Sequence, residues 1–85
     1  SEIPGELWIQ FQDLESYQMN EKKLLSMLAP WDGKDTVVVY LSNTRQYQKL
    51  PPSRSVGICP QLIDQLDQVF GKENIKTLKK IKEKL

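Results

Sequence analysis

The chain has 85 residues, a formal net charge of +1 and 39% hydrophobic residues. That is enough for one domain with one modest core, burying about 60–65% of the surface of the unfolded chain, and it excludes disordered and fibrous classes. There is no histidine and only one cysteine, Cys59. Ser-His and Cys-His catalytic pairs, histidine metal ligands and an intramolecular disulfide are therefore excluded, and the lone thiol fits a reducing, cytoplasmic compartment.

In chain order, residues 1–5 read as a leader ending at the turn signal Pro4-Gly5. Leu7-Trp-Ile-Gln-Phe-Gln12 alternates as a half-buried strand, with Leu7, Ile9 and Phe11 on one face and Trp8, Gln10 and Gln12 on the other. Asp13 to Met19 reads as a polar connection. Asn20 then has the chemistry of an N-cap, and Glu21 suits the positive end of a helix dipole. Leu24, Leu25, Leu28 and Trp31 form the apolar face of that helix, which Pro30 should close at Ala29. Asp32-Gly-Lys-Asp35 reads as a turn into a second strand, Thr36–Ser42, with Val37, Val39 and Leu41 on one face and Val38 and Tyr40 on the other. Asn43-Thr-Arg45 is the expected hairpin tip, and Pro51-Pro52 ends a third strand that begins at Gln46. Val56 and Ile58 are expected core anchors.

Pro60 to Phe70 predicts a second helix. Its apolar residues Leu62, Ile63, Leu66, Val69 and Phe70 fall on one stripe, Pro60 suits the first helical position and Gly71 suits the C-terminal cap. Ile75, Leu78, Ile81 and Leu85 fit a helix stripe, while Asn74–Leu78 fits a short fourth strand equally well. The order strand–helix–strand–strand–helix, followed by a strand or helix, predicts an α+β fold. It is expected to be a small ferredoxin-like sandwich with both helices on one face of the sheet. Residues 6–78 form the core of this single domain, 79–85 are its lysine-rich end, and the whole reads as a unit excised from a longer chain.

Reactive chemistry is sparse. Cys59 precedes a helix, where the dipole can activate a thiol, but a small inert core or cap residue satisfies the same position. Asp64 and Asp67 lie three apart on the polar side of the second helix and need only the helix dipole to explain them. Gly33, Gly57 and Gly71 are isolated and make no phosphate loop. No metal or cofactor is implied. Gln65-Leu-Asp-Gln-Val-Phe70 has the flavour of a sliding-clamp-binding peptide, yet its apolar residues complete the helix stripe.

Surfaces say more. If Leu7, Ile9, Val37, Val39 and Leu41 face the helices, Trp8, Val38 and Tyr40 face away, joined by Tyr47. Such a cluster is either a partner-binding face or a second minor core covered by the leader or the C-terminal segment. Aromatics on an open four-stranded sheet also stack single-stranded bases. Charge is polarised along the chain. Residues 1–32 carry six acids and two lysines, and residues 72–85 carry six lysines (Lys72, Lys76, Lys79, Lys80, Lys82, Lys84) and two acids. The basic end is either a solvated face or a contact for phosphates or an acidic partner.

The runs Leu7-Trp-Ile-Gln-Phe11, Leu24-Leu-Ser-Met-Leu28 and Trp31-Asp-Gly-Lys-Asp-Thr-Val-Val-Val-Tyr-Leu41, followed by Leu50-Pro51, Val56, Leu62 to Leu66, Phe70-Gly71 and Asn74-Ile75, resemble the extreme C-terminal domain of the bacterial replicative DNA polymerase III alpha subunit. Gln46-Tyr-Gln-Lys-Leu-Pro51 resembles cyanobacterial versions. The resemblance covers nearly the whole chain and rests on a pattern of apolar positions with a few turns. It implies a non-catalytic interaction domain within a DNA-directed DNA polymerase, tethering it to the clamp loader's tau-type subunit. The net charge of only +1, with lysines gathered at one end, predicts weak or indirect DNA contact, and the lack of an apolar run near the ~20 residues that span a bilayer predicts no membrane association. No catalytic residue of that family falls on this chain, and the lysine-rich end departs from the family's usual strand ending. Two other classes stand beside this one. A single-stranded nucleic-acid-binding module would need an open sheet and a continuous positive surface. A small-ligand regulatory domain would need a glycine-bearing loop after the first strand, and Asp13–Asn20 holds none.

Overall fold

The computed structural model describes residues 3–78. Its elements are β1 (Glu6–Phe11), α1 (Leu14–Leu28), β2 (Asp32–Leu41), β3 (Gln46–Lys49), α2 (Pro60–Phe70) and β4 (Ile75–Leu78), with short 3-10 turns at Pro52–Arg54 and Lys72–Asn74. Element order and layering are those of the expected α+β sandwich. The four strands run in the order β3-β2-β1-β4. β1 and β2 are parallel neighbours, from Glu6 opposite Thr36 to Phe11 opposite Leu41. β3 and β4 pair antiparallel on the two flanks. The sheet is therefore mixed, with β2 directly beside β1 rather than separated from it by an intervening strand.

Alternation decides which side of the sheet is buried. Leu7, Ile9 and Phe11 of β1, Val37 and Val39 of β2 and Ile75 of β4 form one cluster with Leu24 and Leu28 of α1, Leu62 and Leu66 of α2, and Val56. Leu7, Ile9, Leu24, Leu62 and Leu66 are wholly inaccessible. Phe11 ties the layers together. Its ring meets Tyr17 of α1 edge-on at 5.4 Å and Phe70 of α2 at 5.7 Å, within the range that favours aromatic pairs. Within α2, Leu62 and Leu66 are buried and Ile63 and Phe70 half-buried, but Val69 turns outward at 41% exposure. Gly71, at φ 91°, ends α2 by returning its N–H to the Asp67 carbonyl at 2.9 Å. Asn74 Nδ2 caps the Phe70 carbonyl at 2.6 Å.

Two expectations are corrected and one left open is resolved. α1 begins at Leu14, not after Asn20. Asp13 is its N-cap, accepting from the Ser16 N–H at 2.8 Å, with Glu15 in the first turn. Asn20 sits inside the helix and donates to the Ser16 carbonyl at 2.8 Å. The first two turns lack an apolar stripe, since Leu14 and Met19 are exposed, so cap and dipole rather than periodicity mark their start.

Secondly, Asp32–Asp35 is extended strand rather than a turn. Its far side pairs with Val56, which bridges both Asp32 and Asp35. Gly33 and Gly57 pack backbone to backbone here, and a Cβ on Gly33 would collide with Gly57 and Val56. Thirdly, the ambiguous stretch after Gly71 is a strand over Ile75–Leu78. Ile81 and Leu85 lie outside the described residues.

Asp35 holds this end together. One carboxylate oxygen accepts the Gly5 N–H at 2.8 Å and the other accepts the Ile58 N–H at 3.0 Å. A single side chain thus ties the segment before β1 to the segment before α2.

Candidate partner-binding face

Strand register places Glu6, Trp8 and Gln10 of β1, Val38 and Tyr40 of β2, Tyr47 and Lys49 of β3, and Lys76 and Leu78 of β4 on the side of the sheet away from the helices. Among the described residues no helix covers this side. Trp8, Val38, Tyr40 and Tyr47, expected as a cluster, are brought together. The ring centroids of Trp8 and Tyr40 are 6.2 Å apart, and those of Trp8 and Tyr47 are 5.2 Å apart, tilted by 49° and 45°. Both spacings fall within the favourable range for tilted aromatic pairs.

Val38 differs from the expectation in one respect. It points away from the helices but is fully buried. In register it lies between Trp8 and Lys49, and the Trp8 and Tyr47 rings approach each other across β2. Val38 therefore supports the rings from beneath and offers no contact of its own. The accessible parts of the face are Tyr47 at 59% exposure, Leu78 at 51%, and the half-buried Trp8 and Tyr40.

Polar contacts fix the Trp8 ring. Its Nε1 donates to Glu6 Oε1 at 2.9 Å, and Glu6 Oε2 lies 3.9 Å from Lys49 Nζ. That ion pair is long and largely exposed on the lysine side, so its value is orientation more than stability. Between the rings and β4 runs a groove of about 440 Å³, floored by Trp8, Tyr40 and Leu78 and edged by Gln10, Glu73, Asn74 and Lys76. Alternation had placed Gln10 on this face, but Glu6 and Leu78 were not singled out from sequence. Glu6 precedes the run read as the first strand, and assigning Leu78 requires β4 to be a strand in a known register, which the ambiguous spacing of Ile75 and Leu78 could not supply.

Of the basic end, Lys76 lies on this face opposite Trp8. Lys79, Lys80, Lys82 and Lys84 lie outside the described residues. Cys59 occupies the N-cap position of α2 without a side-chain capping bond and packs partly against the core. Gln65–Phe70 is not an extended peptide: it is the second half of α2, and Leu66 is wholly buried. Asp67 Oδ1 is buried without a hydrogen-bond partner among the described residues. A second cleft, at the carboxyl ends of β1 and β2, gathers Gln10, Gln12, Asn20, Ser42 and Asn74. The Asn20 and Asn74 amides there already bond local carbonyls, so they secure the chain. Elsewhere the Tyr17 hydroxyl is pushed up to about 12, first by burial and then by the neighbouring Glu21 carboxylate. No three acidic or cysteine side chains among the described residues gather as a metal-ion set, and none of the described helices is long and apolar enough to cross a membrane.

No protein-family model matches the chain, and no curated protein or solved structure matches it either.

Proposed function

We propose that this chain is a non-catalytic interaction domain that docks a protein partner on the outer face of its sheet. The resemblance of its apolar pattern to the C-terminal domain of the DNA polymerase III alpha subunit gives that partner a class: the tau-type subunit of a clamp loader, in the cytoplasm, with the parent chain acting as the polymerase. The observation that carries the reading is the aromatic cluster of Trp8, Tyr40 and Tyr47, held on a rigid sheet and left uncovered by any described element. Exposed apolar groups rimmed by polar ones are typical of interfaces, and aromatic residues are enriched at their centres.

A protein partner is favoured over a nucleic acid by charge. Lys49 is paired with Glu6, and Lys76 shares its groove with Glu73. The described face thus has no continuous positive surface, so a strand of phosphates gains little from it.

Tyr47→Ala and Tyr40→Ala test the reading, with binding to the tau-type subunit followed by surface plasmon resonance and folding by thermal melts. Truncating a hot-spot aromatic costs about 2 kcal/mol or more of binding. A loss of roughly 30-fold in affinity with the melting temperature nearly unchanged is therefore expected, and unchanged affinity in both variants would overturn the proposal.

A further inference from the structure

We propose that β3 is a docking edge that takes an extended, non-basic segment of a protein partner as an antiparallel fifth strand, with the segment's apolar side chains in the cleft between β3 and α1. This surface is separate from the aromatic face, and the inference stands independently of the reading above.

The hydrogen-bond ladder fixes what the edge offers. β3 is the outermost strand on its flank of the sheet, and all four of its residues are exposed. The Leu50 N–H donates to the Val37 carbonyl at 2.8 Å. Bonded positions alternate along an antiparallel pair, so Gln48 and Gln46, opposite Val39 and Leu41, also turn their backbone groups to β2. Tyr47 and Lys49 turn theirs outward, where no described strand uses them. A strand laid there gains main-chain bonds for affinity, and its alternate side chains supply specificity.

The cleft sets those side chains. It lies beside β3 on the helix side, holds about 240 Å³ and is walled by Leu14, Tyr17, Val39, Leu41 and Leu50. That is below the roughly 300–1,000 Å³ of small-molecule sites and suits one large aliphatic side chain. Leu14 is 53% exposed at the start of α1, an apolar group that core packing does not account for. Partner residues opposite Gln46 and Gln48 share their face of the sheet and so point to this cleft.

Charge selects the occupant. From Ser42 to Ile63 the chain carries Arg45, Lys49 and Arg54 and no acid. Arg45 precedes β3 and Lys49 ends it; Glu6, at 3.9 Å, neighbours Lys49. A segment bearing lysine or arginine meets like charge at both ends of the edge. A second copy of this chain meets it too. Antiparallel self-pairing through Tyr47 and Lys49 sets Lys49 opposite or diagonal to the Lys49 of the other copy, or opposite its Arg45. An edge lysine guards against self-pairing in this way and leaves the edge to a strand of different sequence.

The test titrates the isotope-labelled 85-residue chain with a synthetic peptide of about eight residues, the length of a strand, in which threonine alternates with valine and leucine. Saturable binding is expected to shift the Tyr47 and Lys49 amide resonances and slow their hydrogen exchange, with those of β4 unmoved. N-methylation of the two central threonines, whose N–H groups face β3, is expected to abolish binding. N-methylation of the central valine and leucine leaves it in place, and lysines in place of the threonines weaken it. Leu14→Ser is expected to weaken binding about tenfold with the melting temperature nearly unchanged. Lys49→Pro removes an outward N–H without cutting the ladder to β2, so it is expected to lose the peptide while Lys49→Gln keeps it. No saturable binding, or equal binding of the two methylated peptides, would overturn the inference. So would concentration-dependent shifts of the same amides in the free chain, which would assign the edge to a second copy.

Tyr40→Ala separates this proposal from the outer-face reading. Tyr40 does not line the cleft, so the peptide is expected to bind that variant as it binds the parent, whatever becomes of the tau-type subunit. Loss of the peptide in Tyr40→Ala at an unchanged melting temperature would place it on the aromatic face and sink the edge proposal alone.

Discussion

Asp35 shows how much one side chain can organise. Its carboxylate is the shared acceptor for two backbone N–H groups 23 and 30 positions away in the chain. Bonds to a charged acceptor are among the stronger ones, and removing the acceptor strands two partly buried donors. Asp35→Ala is expected to destabilise the fold by roughly 2–4 kcal/mol, measured as a shift in the denaturant midpoint. Asp35→Asn should lose less, because its amide oxygen still accepts one bond; equal losses would show that charge rather than bond number matters. Tyr17 makes a second prediction. Its pKa is raised from 10.0 to about 12, so folding favours the protonated phenol. Its contribution to stability is complete below pH 10 and is lost as pH rises through 12. The decline in stability over that window should be shallower in Tyr17→Phe than in the parent. Parallel curves for the two proteins would refute the link.

Legibility differed between elements for physical reasons. β1 and α2 could be read because burial imposes their periods directly, two in Leu7-Ile9-Phe11 and 3.6 in Leu62-Leu66-Phe70. The first half of α1 could not, because Tyr17 is its main contact with the core, and the run before Leu24 shows no stripe. Its start was marked only by Asp13 followed by Glu15, a cap and a dipole signal that the later Asn20-Glu21 duplicated. Asp13→Ala should therefore cost about 1 kcal/mol, and Asn20→Ala much less; the reverse ranking in thermal melts would restore the shorter helix. The strand at Asp32–Asp35 was hidden for another reason. Asp-Gly-Lys-Asp has turn composition, and only the pairing with Val56, remote in sequence, makes it extended. Gly33 serves close backbone approach there. Gly33→Ala should destabilise by about 1–3 kcal/mol, the usual range for overpacking, whereas a true turn glycine with negative φ would tolerate alanine. The outer face was legible in its rings, since alternation assigned Trp8 and Tyr40, while the place of Tyr47 beside them depends on the hairpin register that sets it opposite Tyr40. It was not legible in its depth, because burial of Val38 depends on which strands flank β2.

At the scale of the molecule, β1 is the hinge of the topology. It is the first of the described elements, yet it lies inside the sheet with β2 on one side and β4, the last described element, on the other. On the ribosome, translation at roughly 5–20 residues per second separates the emergence of β3 from that of β4 by on the order of seconds. During that interval the β4-side edge of β1 presents unpaired N–H and C=O groups, flanked by the apolar Leu7 and Ile9, to any other nascent chain. The exposure is a matter of timing rather than of the finished fold. A chain ending at Phe70 would make it permanent. Such a fragment should self-associate on light scattering, and a synthetic peptide spanning residues 71–85 added in trans should return it to monomer. A monomeric fragment with full thermal stability would show that β1 does not need its last neighbour. Pairing with Ile75–Leu78 satisfies this side of β1 and moves the open edge of the sheet outward to a strand of only four residues.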